Sequence, residues 1–291
     1  MKKILITGAG GQVGRSLRNT LNIDKYHGYF LTRQEFDLCD PEMMKKALQT
    51  IEPDFIINAA AYTLVDLAEE NKDIADLVNA EACKTLANHC AEKSIPLFHY
   101  SSDYVYHNGL DRPLEESDNT NPQSVYASTK LNGERAIADI ADKYFILRTS
   151  WVYDAPGKNF VNTMLALAKK FEKLTVVDDQ IGSPTYAPDI ADITMQFVEL
   201  YFDEERDDKK FGVYNFSNEG VCSWYDFAKA IFELSNIEIH VDPVPSSSYP
   251  TAAARPHYSV LNKAKVRDAF PEHRMYHWRE SLRRCLKEIK N

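Results

Sequence analysis

Short apolar runs alternate with amphipathic runs along the first half of the chain. The runs KILIT, YHGYFLT, FIINAAA, PLFHYSS and YFILRTSWVY are typical of strands, and the segments between them show the 3.6-residue period of helices. One helix is expected to begin at Pro41 behind a capping Asp40, and a long one is expected over residues 73–93. This alternation predicts a parallel sheet with helices on both faces, which is a Rossmann-like doubly wound α/β fold.

The alternation loosens after Tyr153. Helices expected over residues 159–171 and 187–200 are separated by the loop DDQIGSPTYAP, and the last third mixes short strands with the loop DPVPSSSYPTAAARP. We therefore expect a sheet domain over residues 1–153 and a smaller, interleaved cap over residues 154–291. The run GVYNFS resembles one more strand of the sheet, so return segments are expected near residues 186–217.

A glycine-rich turn joins the first strand to the first helix. Gly8, Gly11 and Gly14 form GxxGxxG, and Val13 stands where the GxGxxG fingerprint, counted from Gly8, has its last glycine. Glycines here permit a tight turn and a close approach to a pyrophosphate at the helix N-terminus. The context predicts that residues 1–153 bind a dinucleotide, with contacts from Gly8, Gly11, Gln12 and Val13. A purely structural turn is the alternative.

The end of the second strand bears on the choice of cofactor. Arg33 stands where an acidic residue would bind the 2′-hydroxyl of NAD, and a guanidinium suits the 2′-phosphate of NADP. This favours NADPH, with NADH as the alternative because Glu35 is close by. Asp37 and Leu38 follow at a place where contact with the adenine is expected, although a solvated loop would also explain Arg33 and Asp37.

Composition narrows the ligand class. The 291 residues carry a formal net charge of -9 and no block of lysines and arginines, which argues against nucleic-acid or anionic membrane partners. The five cysteines include no CxxC pair, and no zinc-spaced histidine cluster accompanies them. We expect reduced thiols in a cytoplasmic protein, because neither a signal peptide nor a membrane-spanning run is recognisable.

Tyr126 and Lys130 lie four residues apart in a segment that has helical character. They therefore share one face, where an ammonium would lower the pKa of the phenol and make it a better acid near neutral pH. Tyr225 and Lys229 show the same spacing in an ordinary amphipathic helix capped by Ser223. Spacing alone does not distinguish the two pairs.

Several segments together resemble the extended short-chain dehydrogenase/reductase family, and within it reductases of nucleotide-linked 4-ketosugars. The segments that carry the resemblance, in chain order, are GAGGQVG, NAAAYTLVDLAE, SSDYVY, YASTKLNGE, RTSWVY, NFVNTML, DQIGSPT and YPTAAARPHYSVL. The resemblance implies an NADPH-dependent oxidoreductase that reduces the C4 keto group of a dTDP-linked 4-keto-6-deoxysugar for cell-surface polysaccharide synthesis. Alternatives are a nucleotide-sugar epimerase or dehydratase and a non-catalytic NADP-binding regulatory subunit.

The same resemblance implies a catalytic set of Ser102, Tyr126 and Lys130. Tyr126 would protonate the carbonyl oxygen, Ser102 would donate a hydrogen bond to it, and Lys130 would lower the tyrosine pKa and bind the nicotinamide ribose. The pair Tyr225 and Lys229 has no hydroxyl residue at a preceding strand end, so we interpret it as structural.

The remaining binding residues are also implied by the resemblance. Small side chains after the third strand are expected to line the cofactor, namely Ala59, Ala60 and Ala61. Substrate contacts are expected from Thr63, Val65, Ser102, Asp103, Trp151 and Arg255. Trp151 would stack on the sugar and Arg255 would pair with the diphosphate, whereas a core tryptophan and a surface arginine are the alternatives.

Some positions depart from the family pattern. Ser102 replaces the usual threonine and keeps its hydroxyl, and Leu67 replaces a lysine. Relatives with a magnesium-bridged dimer hold the ion with glutamates where this chain has Ser16 and Pro188. We therefore expect no structural metal, and either a monomer or a homodimer.

Overall fold

The computed structural model describes residues 1–107, 109–203 and 208–290. Its strands, in chain order, are β1 Lys2–Thr7, β2 Tyr26–Phe30, β3 Phe55–Asn58, β4 Leu97–Ser102, β5 Tyr144–Thr149, β6 Val152–Tyr153, β7 Lys173–Val177, β8 Ile181–Gly182, β9 Thr185–Tyr186, β10 Gly212–Asn215, β11 Cys222–Ser223 and β12 His240–Val244. Its α-helices are α1 Gln12–Thr20, α2 Pro41–Ile51, α3 Val65–Ala68, α4 Lys72–Asp76, α5 Ala82–Lys93, α6 Val125–Ile140, α7 Phe160–Ala168, α8 Ala187–Phe202, α9 Trp224–Ser235, α10 Ala264–Ala269 and α11 Trp278–Lys290.

Six parallel strands form the central sheet in the order β2-β1-β3-β4-β5-β10. The strand order reverses between β1 and β3, and open α/β sheets bind ligands at such a switch point, beyond the carboxyl ends of their strands. This topology confirms the predicted doubly wound parallel sheet.

Apolar side chains bury both faces of the sheet. Alternate residues of one strand point to opposite faces, so Ile4 and Ile6 pack against α1 and α8, whereas Leu5 packs with α2 and α5. The strands are apolar on both faces for this reason, and they read as continuous runs in the sequence.

The residues after β5 build a second layer beside the carboxyl edge of the sheet. Short ladders pair β6 with β9, β7 with β12 and β8 with β11, and α7, α9 and α11 pack on a separate apolar cluster. Helix α9 begins at the predicted Ser223 cap, where Ser223 and Asp226 form a reciprocal capping box. The chain returns to the sheet through α8 and β10, and the domain boundary at residue 153 stays a prediction.

Two elements differ from the sequence expectations. The helix expected over residues 73–93 contains a π-helical turn, Leu77–Glu81, between α4 and α5. The run YFILRTSWVY is two strands, because Trp151 has φ +47° and breaks the extended backbone between β5 and β6.

Candidate active site

The turn after β1 brings two chain segments into close contact. Gly8 has φ +65°, and a Cβ atom there would lie 2.7 Å from both Ala59 O and Ala60 N. A Cβ atom on Gly14 would lie 2.3 Å from the Gly8 carbonyl oxygen. Glycine is therefore required at both positions, and the turn presents bare backbone at the switch point of the sheet.

The N-terminus of α1 faces this turn. Gly11 is its N-cap residue and contributes no capping side chain, so the first N–H groups of α1 are available to an anion. Gln12 connects the turn to the cap, since its Oε1 accepts from Asn159 Nδ2 at 3.0 Å. Val13 instead packs against the core of the sheet.

The residues expected at the adenosine end lie after β2. Arg33 is exposed, and its Nε lies 3.4 Å from Asp37 Oδ2. Asp37 also accepts from Cys39 N at 2.9 Å. Glu35 accepts from Thr32 N at 2.9 Å and Thr32 Oγ1 at 2.8 Å, and these bonds hold the Glu35 pKa below its usual value. The Glu35 carboxylate is thus engaged within its own turn. Of the two charged side chains, Arg33 is thus the one that is more weakly bound within the protein and more readily available to a cofactor.

Leu38 differs from its expectation. Its side chain is buried in the apolar cluster that Leu5 forms with α2 and α5. Only the backbone atoms of Leu38 could therefore contact an adenine. Ala59, Ala60 and Ala61 are half-buried after β3, and Thr63 is exposed further along the same loop.

Helix α6, which carries Tyr126 and Lys130, is fixed at its first turn. Ser124 Oγ accepts from Ala127 N at 3.2 Å, and Glu69 from the segment VDLAE accepts from Val125 N at 2.8 Å. Asn79 in the π-helical turn donates to Thr129 Oγ1 at 3.1 Å and to Tyr62 O at 3.2 Å. These contacts fix α6 relative to the loop after β3. That loop leads into α3, whose first residue is Val65.

Ser102 and Tyr126 meet at the carboxyl end of β4. Against the larger effect of burial, hydrogen bonding with the Ser102 side chain lowers the Tyr126 pKa, and the Tyr104 ring lies edge-on to Tyr126 with centroids 5.9 Å apart. Ser102 Oγ also lies 3.0 Å from Asp103 Oδ1. The second pair, Tyr225 and Lys229, lies on α9 in the cap, where Lys229 lines a separate surface cavity of about 760 Å³.

The expected effect of Lys130 on Tyr126 is wrong in this structure. Burial raises the pKa of Tyr126 to about 12, the bond to Ser102 opposes that rise, and the Asp103 carboxylate adds to it. Lys130 does not lower it, because the Lys130 ammonium is bound elsewhere: Nζ donates to Tyr100 O at 2.6 Å and lies 3.1 Å from His99 Nε2. Tyr126 therefore carries its proton at neutral pH, as a proton donor must.

Asp103 is a buried carboxyl group beside this pair. Only 2% of its surface is exposed, and burial raises its pKa to about 6 against hydrogen bonds from Ser259 and Ser102. Between pH 6 and 8 the ionised form predominates, at a cost in free energy that burial imposes.

Trp151 is held by a second indole. Its ring stacks on Trp224 with centroids 3.6 Å apart and an interplanar angle of 10°. A Cβ atom on Gly182 would lie 2.7 Å from the Trp151 ring and 3.0 Å from Ser259 Oγ. One face of the indole is therefore covered by Trp224, and Gly182 allows the ring to lie next to the Asp103 side of the site.

Arg255 connects the cap loop to α3. It forms a two-pronged ion pair with Asp66, with Nη2 2.6 Å from Oδ2 and Nη1 3.1 Å from Oδ1, and against the effect of burial Asp66 and the neighbouring Tyr104 raise its pKa. Asp66 Oδ1 accepts from Ala253 N at 3.1 Å. Tyr104 lies between the Arg255 guanidinium and the site, and the Asp66 carboxylate neutralises the guanidinium charge.

Buried polar atoms near the strand ends are consistent with a bound dinucleotide. Within the described residues, Ser101 Oγ, Thr149 Oγ1 and Asp103 Oδ2 have no hydrogen-bond partner. Buried polar groups are normally paired, so these atoms at the ends of β4 and β5 are available to a ligand. Together with the bare turn at Gly8 and the uncapped α1, they fit a dinucleotide with its nicotinamide end near Ser102 and Tyr126.

A metal site has less support. In the ranges that the structure describes, no three His, Cys, Asp or Glu residues gather around a point that would hold an ion. Ser16 Oγ bonds to Gln12 O at 3.1 Å inside α1, and Pro188 lies in the first turn of α8.

Sequence reasoning missed four neighbours of the predicted residues, which are His99, Asp66, Trp224 and Ser259. Each is distant in the chain from the residue that it contacts, so neither spacing nor periodicity brings them together. Asp66 and Ser259 had a signal, because they lie inside the quoted segments NAAAYTLVDLAE and YPTAAARPHYSVL.

The fold and the site define a class. A doubly wound sheet, a glycine turn at its switch point and a serine, tyrosine and lysine gathered at its carboxyl edge are the features of an extended short-chain dehydrogenase/reductase, which uses NAD(P) as its cofactor.

Comparison with known proteins identifies the family. The family model described as RmlD substrate binding domain matches residues 1–291. The chain is 40% identical over 278 residues to the dTDP-4-dehydrorhamnose reductase of Aggregatibacter actinomycetemcomitans, covering 93% of this chain and 94% of the relative. It is 38% identical over 288 residues to the spore coat polysaccharide biosynthesis protein SpsK of Bacillus subtilis, covering 99% and 98%. This protein belongs to the RmlD substrate binding domain family.

A solved structure agrees with this placement. The dTDP-4-dehydrorhamnose reductase of Bacillus anthracis, crystallised in complex with NADP, superposes with a TM-score of 0.92 at 36% identity, covering 99% of this chain and all of that one. Among the helices in the described ranges, none combines the length and the apolar character needed to cross a membrane.

Proposed function

We propose that this protein reduces the C4 keto group of dTDP-4-dehydro-L-rhamnose to give dTDP-L-rhamnose, with NADPH as the reductant. The family match and the relatives at 36–40% identity, several of them named for this reaction, support the activity. The observation that carries the proposal is the pair of hydroxyl groups on the buried Ser102 and the half-buried Tyr126 at the carboxyl edge of a dinucleotide-binding sheet. Carbonyl reduction requires a proton donor at that place.

NADPH is the cofactor, and when bound it supplies the hydride. The relative solved with NADP supports this choice, as does the Glu35 carboxylate, which is engaged by Thr32 while Arg33 is exposed nearby. We assign the diphosphate to the turn at Gly8 and Gly11 and the nicotinamide ribose to the remaining N–H of Lys130.

Tyr126 acts as the acid. Because burial keeps the phenol protonated, Tyr126 can release its proton to the carbonyl oxygen as negative charge develops there. The hydroxyl of Ser102 rotates to donate to the same oxygen, and its present bond to Asp103 holds it within reach. The tyrosinate left behind is stabilised through Ser102 and recovers a proton from solvent.

The cap supplies the substrate contacts. Trp151, held against Trp224, contacts the deoxyhexulose ring, and Asp103 accepts from a sugar hydroxyl. Arg255 pairs with the diphosphate in exchange for Asp66, since a planar guanidinium binds either anion by two parallel hydrogen bonds. Thr63 and Val65 complete this side of the site.

The alternatives are less well supported. An epimerase or dehydratase would use further acid and base residues beside Ser102, and a regulatory subunit would have no need of the hydroxyl pair on Ser102 and Tyr126. The five free cysteines also favour the reducing cytoplasm as the place of action. Whether the protein is a monomer or a homodimer stays a prediction.

The test is a spectrophotometric assay at the NADPH wavelength, with enzymatically generated dTDP-4-keto-6-deoxy-L-hexose. Consumption of NADPH in a one-to-one ratio with the ketosugar is expected. Tightly bound NAD that is not consumed would indicate an epimerase instead, and lack of turnover with any dTDP-ketosugar would point to the regulatory alternative.

A further inference from the structure

Lys130 is enclosed in the protein to an unusual degree. Its residue is only 2% exposed, and its Nζ has two protein neighbours on β4: the carbonyl oxygen of Tyr100 at 2.6 Å and Nε2 of His99 at 3.1 Å. The short bond to a carbonyl oxygen is typical of a charged donor. An ammonium has three N–H groups, so these two neighbours leave one for the cofactor.

His99 is part of a buried polar chain that reaches back to β1. Its Nδ1 lies 3.1 Å from Asn58 Nδ2, and Asn58 Oδ1 accepts from Thr7 Oγ1 at 2.7 Å. All of these residues are at most 2% exposed. Three neighbouring strands therefore each contribute one member to a line that ends at the Lys130 ammonium.

The charge of Lys130 fixes the direction of the hydrogen bonds in this line. An ammonium only donates, so His99 Nε2 must present its lone pair to it and the ring proton must sit on Nδ1. The Asn58 amide then has to turn its oxygen toward His99 and its nitrogen toward Thr7. An amide has nearly the same outline in both orientations, so the same positions accommodate this arrangement. The opposite arrangement, with Asn58 Nδ2 donating to His99, places a ring N–H against Lys130 and requires a neutral amine.

We infer that His99 is a positioning residue for the reductase reaction: its Nε2 accepts from the Lys130 ammonium, keeps it charged inside the protein and aims its remaining N–H at the cofactor ribose. The inference rests on the proposed function only for the identity of the cofactor. Burial and the neighbouring ammonium both lower the pKa of His99, which keeps the ring neutral and able to accept.

Other ionisable groups also face Lys130 and belong in its pH dependence. They are Cys83 from α5 and Glu134 one turn after Lys130 on α6, which is paired with Arg148 of β5 at 2.6 Å. Burial raises the pKa of Cys83 to about 11, so that thiol stays neutral below pH 10. Glu134 is neutralised by its own partner. His99 is therefore the neighbour whose replacement changes the ammonium most directly.

The first experiment needs neither cofactor nor substrate. Nitrogen-15 NMR of the histidine-labelled protein at pH 7, with the His99 signals assigned through His99→Gln, reports which ring nitrogen carries the proton. A proton on Nδ1 is the expected result. A proton on Nε2 would overturn the inference whatever the enzyme reduces.

The second experiment compares three variants in NADPH binding and turnover. His99→Leu removes the acceptor, His99→Gln offers a side-chain oxygen in its place, and His89→Leu makes the same change at a histidine of α5 that does not contact Lys130. Loss of an acceptor for a buried charged donor corresponds to about tenfold in affinity, or about one pH unit in the Lys130 pKa.

His99→Leu is expected to weaken NADPH binding about tenfold and to move the alkaline loss of binding about one unit toward lower pH. His99→Gln should restore much of both, and KM for NADPH should change more than kcat. Equal losses in the two His99 variants, or an alkaline limb that does not move, would contradict the role. If His99→Leu does not fold, the NMR result and the pH profile of His99→Gln still decide. If the protein binds NADPH as expected but reduces no ketosugar, the proposed function fails and this inference stands.

Discussion

Replacing Asp103 with asparagine is expected to stabilise the protein at neutral pH. The folded carboxyl group has a pKa of about 6 against an ordinary value of 3.8, so the folded state binds the proton more tightly than the unfolded chain. A raised acid pKa means that stability falls as pH rises from about 4 to about 6. A difference of about two units at about 1.4 kcal/mol each gives a cost of about 3 kcal/mol once the group is ionised. Asp103→Asn removes that cost and keeps the shape of the side chain.

Urea unfolding at two pH values tests this. The stability gain of Asp103→Asn should be about 3 kcal/mol at pH 7.5 and fall to about 1 kcal/mol at pH 4.5, where the folded carboxyl is already protonated. Asp189→Asn is the matched control, because Asp189 is equally buried but accepts from Arg284 at 2.6 Å, and its replacement should destabilise at pH 7.5. A gain that is the same at both pH values, or a loss at pH 7.5, would refute the explanation.

Three further outcomes follow from the site. Tyr126→Phe should lower turnover by about 10² to 10⁴ while NADPH binding, followed by fluorescence, is retained; retained turnover would remove Tyr126 from the acid role. Gly14→Ala should abolish NADPH binding, since its Cβ would lie 2.3 Å from a backbone oxygen of the turn, whereas Gly10→Ala meets nothing within 4 Å and should bind normally. Arg255→Leu should raise KM for the dTDP-sugar by about tenfold or more with KM for NADPH unchanged, and an unchanged sugar KM would leave Arg255 with only its structural pairing to Asp66.

The elements of the sheet were accessible from the sequence because their signals are local. The Asp40 cap, Pro41 at the first helical position and the 3.6-residue pattern define α2, and its bounds agree with the expected PEMMKKALQTI. The apolar runs locate β1, β3 and β4 for a similar reason, since strands buried on both faces have no polar alternation to obscure them. The sheet order follows from βαβ connections, whose handedness is nearly fixed.

The electrostatics of the site were not accessible in the same way. The four-residue spacing placed Tyr126 and Lys130 on one face, but it did not show that the lysine would be bound by His99 and Tyr100 O. A pKa depends on burial and on every neighbour within a few ångströms, and the neighbours here come from a strand about 30 positions earlier. The Asp66 partner of Arg255 lies still further away in the sequence, 189 positions before it.

The position of β10 at the edge of the sheet has a consequence for biosynthesis. This strand comes from residues 212–215 and covers the open side of β5, which carries Phe145 and Leu147. Until the ribosome has released about three quarters of the chain, β5 is an unprotected apolar edge of the kind that joins other chains. The sheet formed by the first half of the polypeptide therefore lacks its edge strand until β10 has been synthesised. A fragment ending near residue 153 should aggregate rather than accumulate as an isolated nucleotide-binding module.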